Sequence, residues 1–524
     1  MSNLILDQNF DFNRNSKPTL NPKINNKLKI GQFIKSLREK KQMTQEDLAI
    51  LLDTSQSAIA RMEAGEQNFT TETLDKISTA LNQQIIKLAD DSIDFRIQGG
   101  QTLSGTINTN TSKNGAMGLL CASLLNKGKT VLYGIPYIEE VARILEVMES
   151  IGVNIDRNGD QLIIQCPNKF NLEAINVISA NKTRSILMFL GGLIHAETNF
   201  VLPNNQGCKL GKRTISAHLY GLEKFGVKIK VKETGYYVEA KNLKPADLVM
   251  YEQGDTATEN ILIATARLNG ISTIRFASTN YMVMDVIGFL RKLGVSVEQN
   301  GHIITITGKP EIDVDVEYYN SEDPIEAMTF LATGITTHSQ ITVARCPIDF
   351  LGVEIAKLDK MNLKYKLSRP YLSHNQFSRL VDITVLPSKL TALEDKISAQ
   401  PFPGLNIDNL PFFVPICTQA QGTTLIHDWT YEDRAIYFTE LKRLGAKILL
   451  ADPHRVFVEG VTEFLPTQMI CPPALRPSML ILIGMLSANG TSTLRNVYSI
   501  KRGYQEIAER LNDIGAKIDV IGGV

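Results

Sequence analysis

The stretch LRKLGVSV, Leu290–Val297, joins an amphipathic helix end, a glycine and a β-branched strand start. The same pattern appears as MESIGVNI at 148–155, LEKFGVKI at 222–229 and LDKMNLKY at 358–365, then as LKRLGAKI at 441–448 and LNDIGAKI at 511–518. The turn residues Gly152, Gly226, Gly294, Asn362, Gly445 and Gly515 lie 68 to 83 positions apart. Glycine, or asparagine next, suits a left-handed helix C-cap that runs straight into a strand. Units of this length exceed the roughly 20–50 residues of ankyrin or leucine-rich repeats. Helices alternate with strands, as in LLCASLLNKG before TVLYGI and ILIATARLNG before STIRFA. The apolar run Leu119, Leu120, Leu124 and Leu125 predicts helices buried inside rather than laid over one face. A doubly wound sheet is the alternative, but no GxGxxG follows a strand and no P-loop is found.

A chain of 524 residues is too long for one core, so two or three domains are expected. Hydrophobic content of 43% and charged content of 21% describe an ordinary globular protein. The net charge of zero gives no global pull toward nucleic acid or a membrane. Cysteines 121, 166, 208, 346, 417 and 471 form no CxxC pair, which argues against a zinc site or disulfide scaffold and for a reducing compartment. Residues 1–27 are Asn-rich, lack an apolar signal core and read as a flexible arm. The apolar run Met479–Leu486 is far shorter than a bilayer requires. A cytoplasmic protein is expected, with no metal or cofactor called for.

Residues 28–90 read as four or five short helices. Thr44 and Asp47 open one of them, Ser55 restarts the chain after the DTS turn, Gly65 ends the next helix, and Thr71 caps another. The segments MTQEDLA, TSQSAIARMEAGE and TETLDKISTAL resemble the lambda-repressor/Cro-like family of helix-turn-helix modules. That resemblance implies DNA as a partner, with Gln45, Gln56, Ser57 and Arg61 facing it and the helix from Ser55 in the major groove. It also implies a homodimer through this domain. Residues 28–88 balance eight Lys/Arg against eight Asp/Glu, and Asp53 stands where the family usually has glycine. A helical bundle for dimerisation or docking stays open as the other reading.

From residue 94 onward the chain resembles the enolpyruvyl transferases, and among them the branch whose acceptor is UDP-N-acetylglucosamine. The resemblance implies a two-lobed inside-out α/β barrel of six βαβαββ units, with 113–283 in one lobe, 94–112 plus 284–524 in the other, and the site between them. It implies addition of an acceptor hydroxyl to C2 of phosphoenolpyruvate, protonation at C3 and elimination of phosphate. Such a dense anion needs fixed cations, a general acid and a general base.

Family motifs assign these parts. TSKNG supplies Lys113 and Asn114, NKTRS supplies Arg184, and GCKLGKRT supplies Cys208 and Arg213. TYEDRA supplies Arg434 and ALRPSMLIL supplies Arg476. Arginine's fork binds carboxylate or phosphate through two parallel hydrogen bonds, though each cation alone reads as a surface ion pair. Cys208 lies in a basic, glycine-flanked loop and matches the thiol that protonates C3; neighbouring cations lower a thiol pKa. His218 matches a histidine near that loop, with a packed core histidine as its bland reading. Asp323 matches the aspartate proposed as base for the acceptor hydroxyl, and Asp408 the acidic residue that follows a Pro-x-Pro-Gly stretch; both also fit helix caps.

Several stretches depart from the family pattern. Residues 252–256 (Glu252, Gln253, Gly254, Asp255, Thr256) replace a Lys-x-Ser-Val-Gly segment that holds a diphosphate. Ser216 replaces an aspartate, Thr279, Asn280 and Tyr281 replace Arg-Glu-Pro while Asp285 remains, and Pro324 follows Asp323 in place of arginine. The early Pro-x-Leu-Lys-Asp stretch reads Pro136, Tyr137, Ile138, Glu139, Glu140. The phosphoenolpyruvate side is retained and the acceptor side has drifted. UDP-N-acetylglucosamine is the default acceptor, another nucleotide or sugar its competitor, and a DNA-binding regulator that only senses ligand the reading from a different class.

Overall fold

All six turn residues adopt the left-handed backbone, with φ between 67° at Asn362 and 101° at Gly515, in a computed structural model of the chain. The structure describes residues 93–203 and 215–522 and, before them, most of residues 43–66 with scattered positions between 31 and 77. The 1–27 arm, Asp53, Thr71, Cys208 and Arg213 lie outside the described residues. The chain divides between Asp91 and Ser92 into two units.

In the first unit, helix Gln45–Leu51 opens on a reciprocal cap between Thr44 and Asp47, and helix Gln56–Glu63 opens on Ser55. Leu48, Ala49, Ile59 and Met62 pack with Ile34, Leu37 and Ile77. Under them Arg38 grips Glu63 through two hydrogen bonds, Nε to Oε1 at 2.6 Å and Nη2 to Oε2 at 3.0 Å. The third guanidinium nitrogen donates to the Met43 carbonyl, which satisfies a charge that burial would otherwise penalise.

The second unit contains six sheets among the described residues. Each repeat turn leads into an edge strand of a different one: Asn154–Asn158, Lys228–Lys232, Ser296–Asn300, Lys364–Leu367, Lys447–Asp452 and Ile518–Ile521. Five sheets share one pairing order, a parallel contact followed by two antiparallel ones. That order follows from a strand–helix–strand–helix–hairpin unit, because the crossover makes the parallel pair and the hairpin the antiparallel one.

Helices Lys113–Ser123, Asp255–Thr265, Pro324–Thr336 and Leu475–Ser487 are buried on nearly every face. Their interior position is what the all-round apolar pattern dictates. In Pro324–Thr336 the hydroxyls of Thr329 and Thr333 donate to the carbonyls of Ile325 and Thr329, so these buried polar groups stay paired.

Two hydrophobic cores result. One gathers side chains from Ala116 to Tyr318, the other those from Phe95 to Ile107 and from Ile325 to Ile518. Strand Asp94–Gly99 joins the second through pairing with 490–495 and 518–521. The division expected at 283 lies later. Helix Tyr281–Lys292 packs in the first core, and strand Val316–Tyr319 pairs with Thr130–Tyr133, which ties residues 284–318 to the first core. No helix among the described residues is long and apolar enough to cross a membrane.

Candidate active site

Four of the cations singled out from sequence stand at or next to a helix start. Lys113 opens Lys113–Ser123, where the Ser112 hydroxyl caps the amides of Asn114 and Gly115. Arg184 opens the turn Arg184–Met188, Arg434 opens Arg434–Phe438, and Arg476 is second in Leu475–Ser487. A cation in the first turn opposes the helix dipole, and the two long helices carry that penalty. The same placement adds side-chain charge to helix-end amides, which is favourable toward an anion.

Lys113, Asn114, Arg184 and His218 from the first core share a cavity of about 560 Å³ with Pro401, Ile407, Trp429 and Tyr431 from the second half of the chain. That volume lies within the range of small-molecule sites. Glu140, Glu252 and Glu432 also line it. Lys113 donates to Glu140 at 3.2 Å. Burial alone would raise the Glu140 carboxyl, but Lys113, Arg502 and Arg476 together bring it below the usual range.

Behind the second wall, Arg434 is 2% exposed and wholly committed. Its Nε donates to Asp428, its Nη2 donates to the Ile407 carbonyl at 2.8 Å, and its guanidinium lies 4.2 Å from the Tyr431 ring centre. Asp408 sits between the two guanidiniums, 3.7 Å from Arg434 and 3.5 Å from Arg476. Arg476 also donates to the Tyr504 hydroxyl at 2.9 Å, and that oxygen lies 2.7 Å from Thr329 Oγ1.

The two candidate carboxylates differ in access. Asp323 is 7% exposed and caps helix Pro324–Thr336, its Oδ1 accepting from the amides of Ile325 and Glu326. Burial pushes its carboxyl up to about 6, with Arg476 opposing and Glu326 adding to the rise. Asp408, with a side chain 28% exposed, stands next to the cavity residue Ile407. Asn114 reaches the same region from the first core, its Nδ2 3.4 Å from the hydroxyl of fully buried Tyr281.

His218 is a packed histidine as well as a wall residue. Its Nδ1 faces the Asn260 amide at 3.1 Å and its Nε2 faces Thr256 Oγ1 at 3.4 Å. Burial, aided by the Arg184 charge, pushes it down to about 3, so the ring is neutral at physiological pH.

The drifted stretch also reads differently in three dimensions. Glu252, Gln253, Gly254 and Thr256 line the cavity, while Asp255 turns to Ser278 and Asn280 at 2.5 and 3.1 Å. One carboxylate of that stretch, rather than two, faces the cavity wall. Sequence reasoning passed over Trp429, Tyr431 and Glu432, although all three adjoin Arg434 and Trp429 is the chain's single tryptophan. In the helix-turn-helix unit Gln56, Ser57 and Arg61 are exposed along one helix, and Gln45 is half-buried and accepts from the Gln56 amide at 2.7 Å.

The sequence profile of the EPSP synthase (3-phosphoshikimate 1-carboxyvinyltransferase) family matches residues 97–511, and a helix-turn-helix profile matches residues 34–88. A UDP-N-acetylglucosamine 1-carboxyvinyltransferase of Treponema denticola is 29% identical over 432 residues, covering 82% of this chain and 99% of that protein. A protein of the same name from Porphyromonas gingivalis is 29% identical over 439 residues, 81% and 99% of the respective chains. Among solved structures, the enolpyruvyl transferase NikO of Streptomyces tendae superposes with a TM-score of 0.70 at 21% identity, covering 83% of this chain and all of that one. EPSP synthase of Acinetobacter baumannii gives 0.65 at 17%, covering 82% and 100%.

Proposed function

Because the chain belongs to the EPSP synthase (3-phosphoshikimate 1-carboxyvinyltransferase) family, we propose that it moves the enolpyruvyl group of phosphoenolpyruvate onto the 3-hydroxyl of UDP-N-acetylglucosamine, releasing phosphate. This is the step that commits the sugar nucleotide to peptidoglycan, carried out in the cytoplasm. Relatives that bear this activity in their names align over nearly their whole length, whereas the solved transferases support the fold alone. The observation that carries the reading is a cavity that unites Lys113, Asn114 and Arg184 with Ile407, the residue next to Asp408 whose carbonyl accepts from Arg434.

In this reading Lys113, Arg184 and Arg213 hold the phosphate and carboxylate, the buried Arg434 and Arg476 add positive charge behind them, and Cys208 delivers a proton to C3 as the acceptor oxygen bonds to C2. Collapse of the adduct then expels phosphate as the Cys208 thiolate takes a proton back from C3, which restores the vinyl group. The proton drawn from the acceptor hydroxyl leaves with the phosphate. Of the two carboxylates, Asp408 takes the proton of the acceptor hydroxyl. Its side-chain exposure of 28% suits a base, and the two guanidiniums beside it support a position near an anionic substrate. Asp323 holds the start of Pro324–Thr336 and feels the charge of Arg476.

Phosphate release that requires both substrates, with a product of matching mass, is the expected result. Cys208→Ala should abolish it. Asp408→Asn should lower kcat about 100-fold or more, and Asp323→Asn, which retains a good helix cap, should cost less than about tenfold. Saturable binding without phosphate release across a panel of nucleotide sugars would instead favour a ligand-sensing regulator.

We also infer that residues 34–88 bind DNA, as a pair of copies, through Gln56, Ser57 and Arg61 with Gln45 braced against Gln56. A salt-dependent shift of a specific operator, lost in Arg61→Ala, supports this; no shift even at low salt removes it.

A further inference from the structure

We propose that Trp429 is the platform on which the acceptor's pyranose ring rests, and so a residue that determines acceptor specificity. The inference depends on the carboxyvinyl transfer proposed above.

Trp429 is 48% exposed although it lines the cavity. A large aromatic face left uncovered in a concave site is costly unless a ligand covers it. The indole is held at one edge, its Nε1 donating to the Ala399 carbonyl at 2.6 Å. That bond removes the polar tip from any ligand contact and leaves the flat face as what the side chain offers.

The neighbouring ring is differently employed: Tyr431 lies against the Arg434 guanidinium. Trp429 is thus the aromatic of this segment whose face has no cation against it among the described residues.

Its location selects the part of the acceptor. Trp429 shares the wall with Ile407, whose carbonyl holds Arg434 and whose neighbour is Asp408. The ring at this wall is therefore the ring that bears the reacting hydroxyl, rather than the distant base. The face of a pyranose presents C–H bonds that pack against an aromatic plane, while its edge presents hydroxyls. Glu252 and Glu432, on the same cavity, are acceptors suited to those hydroxyls.

As the chain's single tryptophan, Trp429 reports on its own occupancy. Full-length protein titrated with UDP-N-acetylglucosamine or N-acetylglucosamine 1-phosphate should show a saturable change in tryptophan emission, and UDP should not. Trp429→Ala should raise the acceptor KM about tenfold, the size of a lost stacking contact, with the phosphoenolpyruvate KM unchanged. Trp429→Phe, which keeps a face but loses the anchor, should fall between.

Normal wild-type turnover with an unaltered acceptor KM in Trp429→Ala overturns the platform and leaves the proposed reaction standing. An equal response to UDP, or equal losses toward both substrates, overturns it too. Absence of wild-type phosphate release defeats the reaction itself, and the platform falls with it.

Discussion

The carboxyl of Asp285 is fully buried and accepts from the Ser321 hydroxyl at 2.9 Å and the Tyr318 hydroxyl at 3.2 Å. Burial pushes it up to about 8 despite those bonds. An unfolded aspartate titrates near 3.9, so between about 4 and about 8 the folded chain holds a proton that the unfolded chain lacks. The unfolding free energy therefore falls as pH rises through that window, each unit of pKa difference amounting to about 1.4 kcal/mol. Asp285→Asn cannot titrate, so its urea midpoint should change less between pH 5 and pH 8 than that of the wild type. Equal changes would show that the group is ionised in the fold. Such a site is hard to read from sequence, since Tyr318 and Ser321 lie over thirty positions away. Asp255 teaches the same lesson: its letter suggests a charge facing substrate, and its partners Ser278 and Asn280 become visible only in the fold.

The helix-to-strand turn was the most legible element, because its backbone demands a rare residue type and that demand recurs in every unit. Gly515 gives the cleanest test. An added Cβ there would meet nothing closer than 3.5 Å, so only its φ of 101° opposes a side chain. Gly515→Ala should destabilise the second unit by about 1–2 kcal/mol, read as a lower denaturant midpoint with an unchanged slope. No loss would mean that the turn relaxes. Buried helices were legible too, from apolar runs with no polar face. The join between cores was not. Helix Tyr281–Lys292 resembles any amphipathic helix locally, and its place is decided by contacts with Lys113–Ser123 and by the strand that follows it.

At the scale of the whole molecule, the six repeats foretold six sheets, and among the described residues the first strand pairs with the last. Candidate site residues from Lys113 to Arg476 could be named from motifs, while Trp429, Tyr431 and Tyr504 and the pairings could not. Lys113 meets Glu140, Arg434 meets Asp428 and Arg476 meets the Tyr504 hydroxyl, partners that the motifs did not single out. A body built from six open sheets also has rims at which unpaired amides and carbonyls invite another chain. The strand Lys228–Lys232 lies at such a rim and alternates Lys228, Lys230 and Lys232 with Ile229 and Val231. Stacking a second copy there would bring like charges together and bury them. Replacing all three lysines by valine should leave the fold intact and raise light scattering on storage relative to the wild type. Unchanged scattering would show that something other than charge keeps that rim apart. Repetition that makes the architecture easy to encode thus multiplies the places where copies can zip together, and the lysine ladder is one local defence against it.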